Sequence, residues 1–181
     1  FGCMMIECGE ADALITGLTR KYPDTLKPVL EIIGVEPQVN KIAGMYIMLT
    51  RKGPICFADT TINEFPTAND LVEITLLAAE KIKNLNIKPR VAMLSYSNFG
   101  SSNLSEAKVV KEAVDYLHQH HPDLIVDGEI QASVAFNNEL LKENYPFSAL
   151  INNNPNILIF PKLSAGNIAY HLMMELGNSE A

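Results

Sequence analysis

Apolar positions change rhythm along this chain. Leu26, Val29, Leu30 and Ile33 recur at helical spacing behind Pro23, with Gly34 as a stop, so Pro23 to Ile33 is expected to be a short helix. Two continuous apolar runs follow, Ile42 to Thr50 and Ile55 to Ala58, on either side of Arg51-Lys52-Gly53-Pro54. Glycine and proline between two such runs predict a turn, hence a β-hairpin. Thr67 to Leu85 predicts a longer helix. Thr67 is placed to cap it, Asp70 stands three residues on, and Leu71, Ile74, Leu77, Ala78 and Ile82 form one stripe.

From Lys88 onward, strands and helices alternate. Arg90 to Leu94, Leu124 to Val126 and Asn156 to Phe160 are apolar runs of strand length. After them come helical patterns over Ser105 to His118, Ser133 to Lys142 and Ala165 to Leu176, the first with Val109, Ala113, Val114 and Leu117 inward. This alternation predicts an α/β fold: a parallel sheet covered by helices on both faces, plus the β-hairpin, in a single domain.

Composition narrows the function classes. With 181 residues, 48% of them apolar and 19% charged, the chain has ample material for a core. Its net charge of −7 lacks the basic footprint of nucleic-acid binding, and no apolar run approaches the roughly 20 residues that span a bilayer. No nucleic-acid or membrane partner is expected. Cys3, Cys8 and Cys56 form no CxxC pair, which suits free thiols in a reducing, cytoplasmic setting. The opening run, Phe1 to Ile6, has neither a basic n-region nor a cleavage site, so the chain is expected to be part of a longer polypeptide.

In parallel sheets, ligands bind beyond the carboxyl ends of the strands, so the residues following each predicted strand carry the candidate chemistry. Ser95-Tyr96-Ser97-Asn98-Phe99-Gly100-Ser101-Ser102 follows the first strand of the alternating region, with Ser105 as the expected cap of the next helix. Small residues let backbone N–H groups approach an anion, and a helix start adds partial positive charge. The same residues also suit a plain βα loop. Asp127-Gly128-Glu129 offers two carboxylates, for acid–base work or for a turn. Gly9-Glu10-Ala11-Asp12-Ala13 suggests acids near a helix start, and Asn167 opens the last helix. His118, His120 and His121 cluster before Pro122, where imidazoles suit orphan helix carbonyls better than a metal. Neither GxGxxG, GxxxxGK[ST] nor GxSxG occurs.

Taken together, FGCMMIECGEADALITG, CFADTTIN, RVAMLSYSNFGSS, PDLIVDGEIQ and NILIFPKLSAGNIAY resemble the phosphate acetyl/butyryltransferase (phosphotransacetylase) family along essentially the whole chain. TRKYPDTLKPVLEIIG, GMYIMLTRKGPICFADTT and SYSNFGSS look most like the phosphotransacetylase-like C-terminal region of large NADP-dependent malic enzymes. Free-standing transferases more often carry Thr-Lys where this chain has Asn98-Phe99.

The resemblance implies one lobe of a two-lobed phosphotransacetylase-like (isocitrate-dehydrogenase-like) fold, spanning 1–181 and excised from a longer chain. The family's catalytic Ser-Arg and Asp motif lies downstream of Ala181 and its substrate-binding arginines upstream of Phe1, so no catalytic residue is carried over. Three readings follow, the third a plain structural assembly lobe with no ligand of its own. The first is a regulatory, acetyl-CoA-sensing and assembly lobe of a malic enzyme, whose NADP and divalent metal (Mg or Mn) belong to other domains, leaving no cofactor here. The second is part of a catalytic phosphate acetyltransferase. Either of these two implies a CoA ester and the rest of the parent chain as partners, and a homo-oligomer. The expected ligand contacts are Ser95, Ser97, Asn98, Gly100, Ser101, Asp127, Glu129 and Asn167, converging on one crevice, with the 95–102 loop touching the ligand through its backbone.

Overall fold

The computed structural model describes residues 1–35, 41–177 and 179–180. The chain divides into two compact units, 1–40 and 41–181.

Among its described residues the first unit holds two helices. α1 (Gly2–Glu7) forms over the apolar opening run, where no helix was expected, and buries Cys3. Residues 9–13 begin no helix, so Glu10 and Asp12 are exposed loop acids rather than caps. α2 (Tyr22–Ile32) matches its expected span, with proline in its first turn, where a missing N–H costs nothing. At its end the Gly34 N–H returns to the Val29 carbonyl at 3.1 Å.

The second unit is built on a five-stranded sheet. β1 (Met45–Thr50) and β2 (Gly53–Ala58) form the expected hairpin, but Gly53 and Pro54 begin the second strand and Arg51-Lys52 makes the turn. Pro54 precedes Cys56–Ala58, the stretch that pairs with the next strand, so its missing N–H is tolerated. β3 (Arg90–Leu94), β4 (Ile125–Ile130) and β5 (Ile157–Ile159) complete the order β1-β2-β5-β3-β4. Among these five strands all pairings but the hairpin are parallel.

Successive side chains on a strand point to opposite faces, and the two cores follow that alternation. Cys56, Ala58, Val91, Met93, Ile157 and Ile159 face α3 (Ala68–Asn84) and α4 (Ser105–His120). Phe57, Ala92, Leu94, Leu158 and Phe160 face α5 (Ala132–Ala135), α6 (Asn138–Asn144) and α7 (Leu163–Leu176). Helices cover both faces, as the sequence predicts.

Local chemistry sets the boundaries. The Thr67 N–H donates to Asp70 Oδ2 (2.9 Å) and the Asp70 N–H to Thr67 Oγ1 (3.3 Å), so α3 starts with a complete capping box. The helix expected over 133–142 breaks in two, because Asn137 leaves helical geometry to accept the Leu140 N–H at 3.1 Å and cap α6. At α4 the cap position is Leu104, without a side-chain bond, rather than Ser105. His118 Nε2 lies 2.9 Å from the Val126 carbonyl and His120 Nδ1 2.9 Å from the Tyr116 carbonyl, so both rings serve backbone oxygens. Among the described residues no helix is long and apolar enough to cross a membrane.

Two outcomes test this packing. Leu117 has no exposed surface, so Leu117→Ala is expected to lose about 3 kcal/mol in urea unfolding, whereas Thr67→Ala should lose about 1 kcal/mol; equal losses would contradict the two-faced core. Burial pushes the Cys56 thiol up to about 12, while Cys8 is exposed and Cys3 buried. A disulfide reagent at pH 8 should titrate one thiol rapidly in the native chain and three after denaturation, and rapid reaction of Cys56 would refute its burial.

Candidate functional site

β5 lies between β2 and β3, so the two innermost parallel strands send their helices to opposite faces: β3 leads to α4, β5 to α7. Their connections therefore diverge at the carboxyl edge, the place where a ligand crevice opens in such sheets. The 95–102 loop and 161–162 flank it. Glu106, in the first turn of α4, and Lys162, the residue before α7, form an ion pair that joins the two connections. These partners stand 56 residues apart, and no sequence signal pairs them.

The 95–102 loop is tied down. Glu129, 1% exposed, accepts the Ser97 hydroxyl (2.9 Å) and the Gly100 N–H (2.6 Å) on Oε1, and its carbonyl accepts the Phe99 N–H (2.8 Å). Ser97 Oγ accepts the Ser102 N–H (3.0 Å) and lies 3.1 Å from Ser101 Oγ. The Ser97 N–H goes to Ser95 Oγ (3.2 Å), that of Asn98 to Ser101 Oγ (2.9 Å), and that of Ser101 to the Asn98 carbonyl (3.0 Å). Asn98 Oδ1 accepts the Gln131 N–H at 2.8 Å. Every N–H from Ser97 to Ser102 is thus already donated. The open backbone cradle expected for this loop is closed in this structure; the outward crest is Gly100 and Ser101, both exposed.

β4 explains why the two acids looked like a loop. It extends through Ile130, past the expected end at Val126, and carries Asp127 and Glu129 inside the strand, both buried. Asp127 is satisfied locally, whereas Glu129 engages only Oε1. Asp127 accepts the Gly128 N–H (3.0 Å) and the Ala149 N–H (2.9 Å), which ties β4 to the 148–150 turn instead of the crevice. A cavity of about 300 Å³ beside the strand is lined by Phe99, Lys111, Asp115, Asp127 and Glu129. Lys111 binds Asp115 at 2.8 Å, and this bond, aided by the nearby Glu129 charge, holds its ammonium above the usual lysine range.

The connection after β2 holds a third buried carboxylate, outside the expected ligand contacts. Asp59, 3% exposed, accepts the N–H groups of Gly44 (3.1 Å), Thr61 (2.8 Å) and Ile62 (3.2 Å) on Oδ1. Its Oδ2 accepts the N–H (2.8 Å) and side-chain amide (2.5 Å) of Asn63. α7 packs directly on this turn: a Cβ at Gly166 would lie 2.6 Å from the Asp59 carbonyl, so only glycine fits. Asn167, one residue on, is exposed. The structure thus joins Ser95, Ser97, Asn98, Gly100, Ser101 and Glu129 in one network. It places Asp127 behind that network and Asn167 outside it. Among the described residues no three His, Cys, Asp or Glu side chains come together as a metal-ligand set.

The sequence profile of the phosphate acetyl/butaryl transferase family matches residues 1–181. The chain is 39% identical to the phosphate acetyltransferase of Bacillus subtilis, over 100% of this chain and 56% of that protein. It is also 39% identical to an NADP-dependent malic enzyme of Haemophilus influenzae, over 93% of this chain and 22% of that protein. The fold superposes on a phosphotransacetylase from Streptococcus pyogenes with a TM-score of 0.90 at 35% identity, covering 99% of this chain and 55% of that one. For the EutD phosphotransacetylase from Staphylococcus aureus the TM-score is 0.89 at 32% identity, with the same coverage of 99% and 55%. The chain spans about half the length of the phosphate acetyltransferase it matches.

The Asp59 network gives a direct test. Asp59→Asn keeps the shape but turns an amide N–H₂ against donors on one side, so it should lose about 2–3 kcal/mol in urea unfolding. Wild-type stability would show that the carboxylate does not organise this turn.

Proposed function

The chain belongs to the phosphate acetyl/butaryl transferase family, and on that premise we propose that it is one lobe of a phosphate acetyltransferase, which exchanges acetyl between CoA and phosphate. The observation that carries this reading is the superposition of 99% of the chain on two phosphotransacetylases, with TM-scores of 0.89 and 0.90. The acetyl-CoA-sensing malic-enzyme reading has sequence similarity alone behind it, and malic enzymes are matched over 22% of their length. On that second reading NADP and a divalent metal would belong to polypeptide outside these residues. The absence of a GxGxxG fingerprint agrees with this assignment.

Acetyl transfer to phosphate requires a phosphate oxygen to attack the thioester carbonyl, donors to hold the tetrahedral oxyanion, and departure of the CoA thiolate. In this reading the crevice between β3 and β5 is one wall of the substrate site. Lys162 brings a cation there, and the crest of the 95–102 loop shapes the wall. The remaining groups come from the other lobe, in polypeptide outside residues 1–181. The net charge of −7 disfavours CoA on this lobe alone, so the substrates bind between lobes. The assembled enzyme is a soluble, cytoplasmic homo-oligomer.

The full-length protein is expected to form acetyl-CoA from acetyl phosphate and CoA, and residues 1–181 alone to be slower by at least about 10²-fold, the usual effect of losing oxyanion donors. Malate-dependent NADP reduction that acetyl-CoA inhibits, without acetyl transfer, would restore the regulatory reading. Full activity of the isolated chain would refute the single-lobe proposal.

A further inference from the structure

Glu129 stands out among the buried groups. It is a carboxylate with 1% of its surface exposed, it lies inside a β-strand, and its Oε2 has no protein partner. For stability alone this is a poor choice, because a carboxyl group deep in the fold loses its hydration and one of its oxygens makes no hydrogen bond. What the side chain does achieve is local. Its Oε1 holds the Ser97 hydroxyl and, at 2.6 Å, the Gly100 N–H, a short contact of the charge-assisted kind. The Glu129 carbonyl holds the Phe99 N–H between them.

The segment so held is strained. Phe99 has φ of 47° and Gly100 of 89°, two successive residues in the left-handed region, the first not glycine. Such geometry persists only where the surroundings over-determine it, and it concentrates at functional sites. The pinned crest, Gly100 and Ser101, stands at the crevice, and α4 begins at Ser105 just beyond, so the same anchor fixes where Glu106 meets Lys162.

We infer that Glu129 is a positioning residue: it acts through the Ser97–Ser102 loop, holding the crevice wall in the shape that receives the acyl donor, without touching substrate. This inference rests on the transferase reading, and it changes the expected part of Glu129 from ligand contact to loop anchor.

The test uses the full-length protein with acetyl phosphate and CoA. Glu129→Ala orphans both donors and should lower kcat/KM at least about tenfold, while Glu129→Gln, which keeps an acceptor at Oε1, should stay within about threefold. Leu117→Ala, a core change remote from the crevice, provides a comparably destabilised control that should retain wild-type kcat/KM. Hydrogen exchange supplies an arm independent of turnover. The amides of residues 97–102 should lose protection in Glu129→Ala and keep it in Leu117→Ala. If Glu129→Ala does not fold, Ser97→Ala, which removes one tie, should deprotect the same amides with a smaller loss of kcat/KM. Unchanged protection, or kcat/KM in Glu129→Ala equal to the Leu117→Ala control, would overturn the positioning role. A wild-type protein that transfers no acetyl would overturn the functional reading instead, and the exchange result would still decide whether Glu129 holds the loop.

Discussion

The position of β5 is the constraint on which the rest depends. It is the last strand made, yet it inserts between β2 and β3, so the sheet cannot be completed until the final third of the chain arrives. Its three residues are fully buried and pair on both sides, Ile157 with both Cys56 and Val91, Ile159 with both Ala58 and Met93. Two consequences follow from that single insertion. The cores on the two faces share the same central strands, so neither face can pack without the other. The helices after β3 and β5 also leave on opposite sides, which opens the crevice at the carboxyl edge.

Once the crevice exists, buried carboxylates define its rim. Asp59 after β2 and Glu129 at the end of β4 sit at two corners of the carboxyl edge, and each gathers backbone N–H groups that a tight turn leaves without partners. A carboxylate is suited to this because it accepts on both oxygens and its charge strengthens every bond it takes. The arrangement is costly unless the donors are supplied. Asp59 has both oxygens engaged, whereas Glu129 has one. This contrast separates an anchor that stabilises the fold from one that holds a strained loop at an expense to the fold.

Legibility from sequence followed the same physics. The long helices and the strands Arg90 to Leu94 and Asn156 to Phe160 were legible because their signals are local: stripes such as Leu71, Ile74 and Ala78, and the Thr67–Asp70 capping pair. The composition of Asp127-Gly128-Glu129 predicts a turn, and the donors from Gly128, Ala149, Ser97 and Gly100 are what make those acids acceptable in β4. The break at Asn137 was missed because cap and helix interior compete there, and the winner depends on packing. In the Ser/Gly loop, the hydroxyls and N–H groups that suggest an anion cradle are engaged within the loop network, which no local sequence signal shows.

On the transferase reading, those spent donors bear on how the lobe could serve acyl transfer. An anionic substrate needs donors and cations that are free when it arrives, and here the loop donors are spent on holding shape. Arg51 sits in the hairpin turn and Arg90 at the start of β3, both at the opposite edge, and Arg90 is engaged with the Asn154 carbonyl at 2.6 Å. Lys162 reaches the crevice but is paired with Glu106. A wall of this kind contributes rigidity and contour more than attraction. Binding energy for phosphate and the CoA phosphates would then come chiefly from groups facing it, and catalysis would depend on how firmly the two sides are held in register. On that division of labour Asp59 and Glu129 would matter as much as any group that meets the substrate, because a loop that drifts by an ångström would misplace the acyl donor against the attacking oxygen, and misplacement on that scale can cost about 10²-fold in rate.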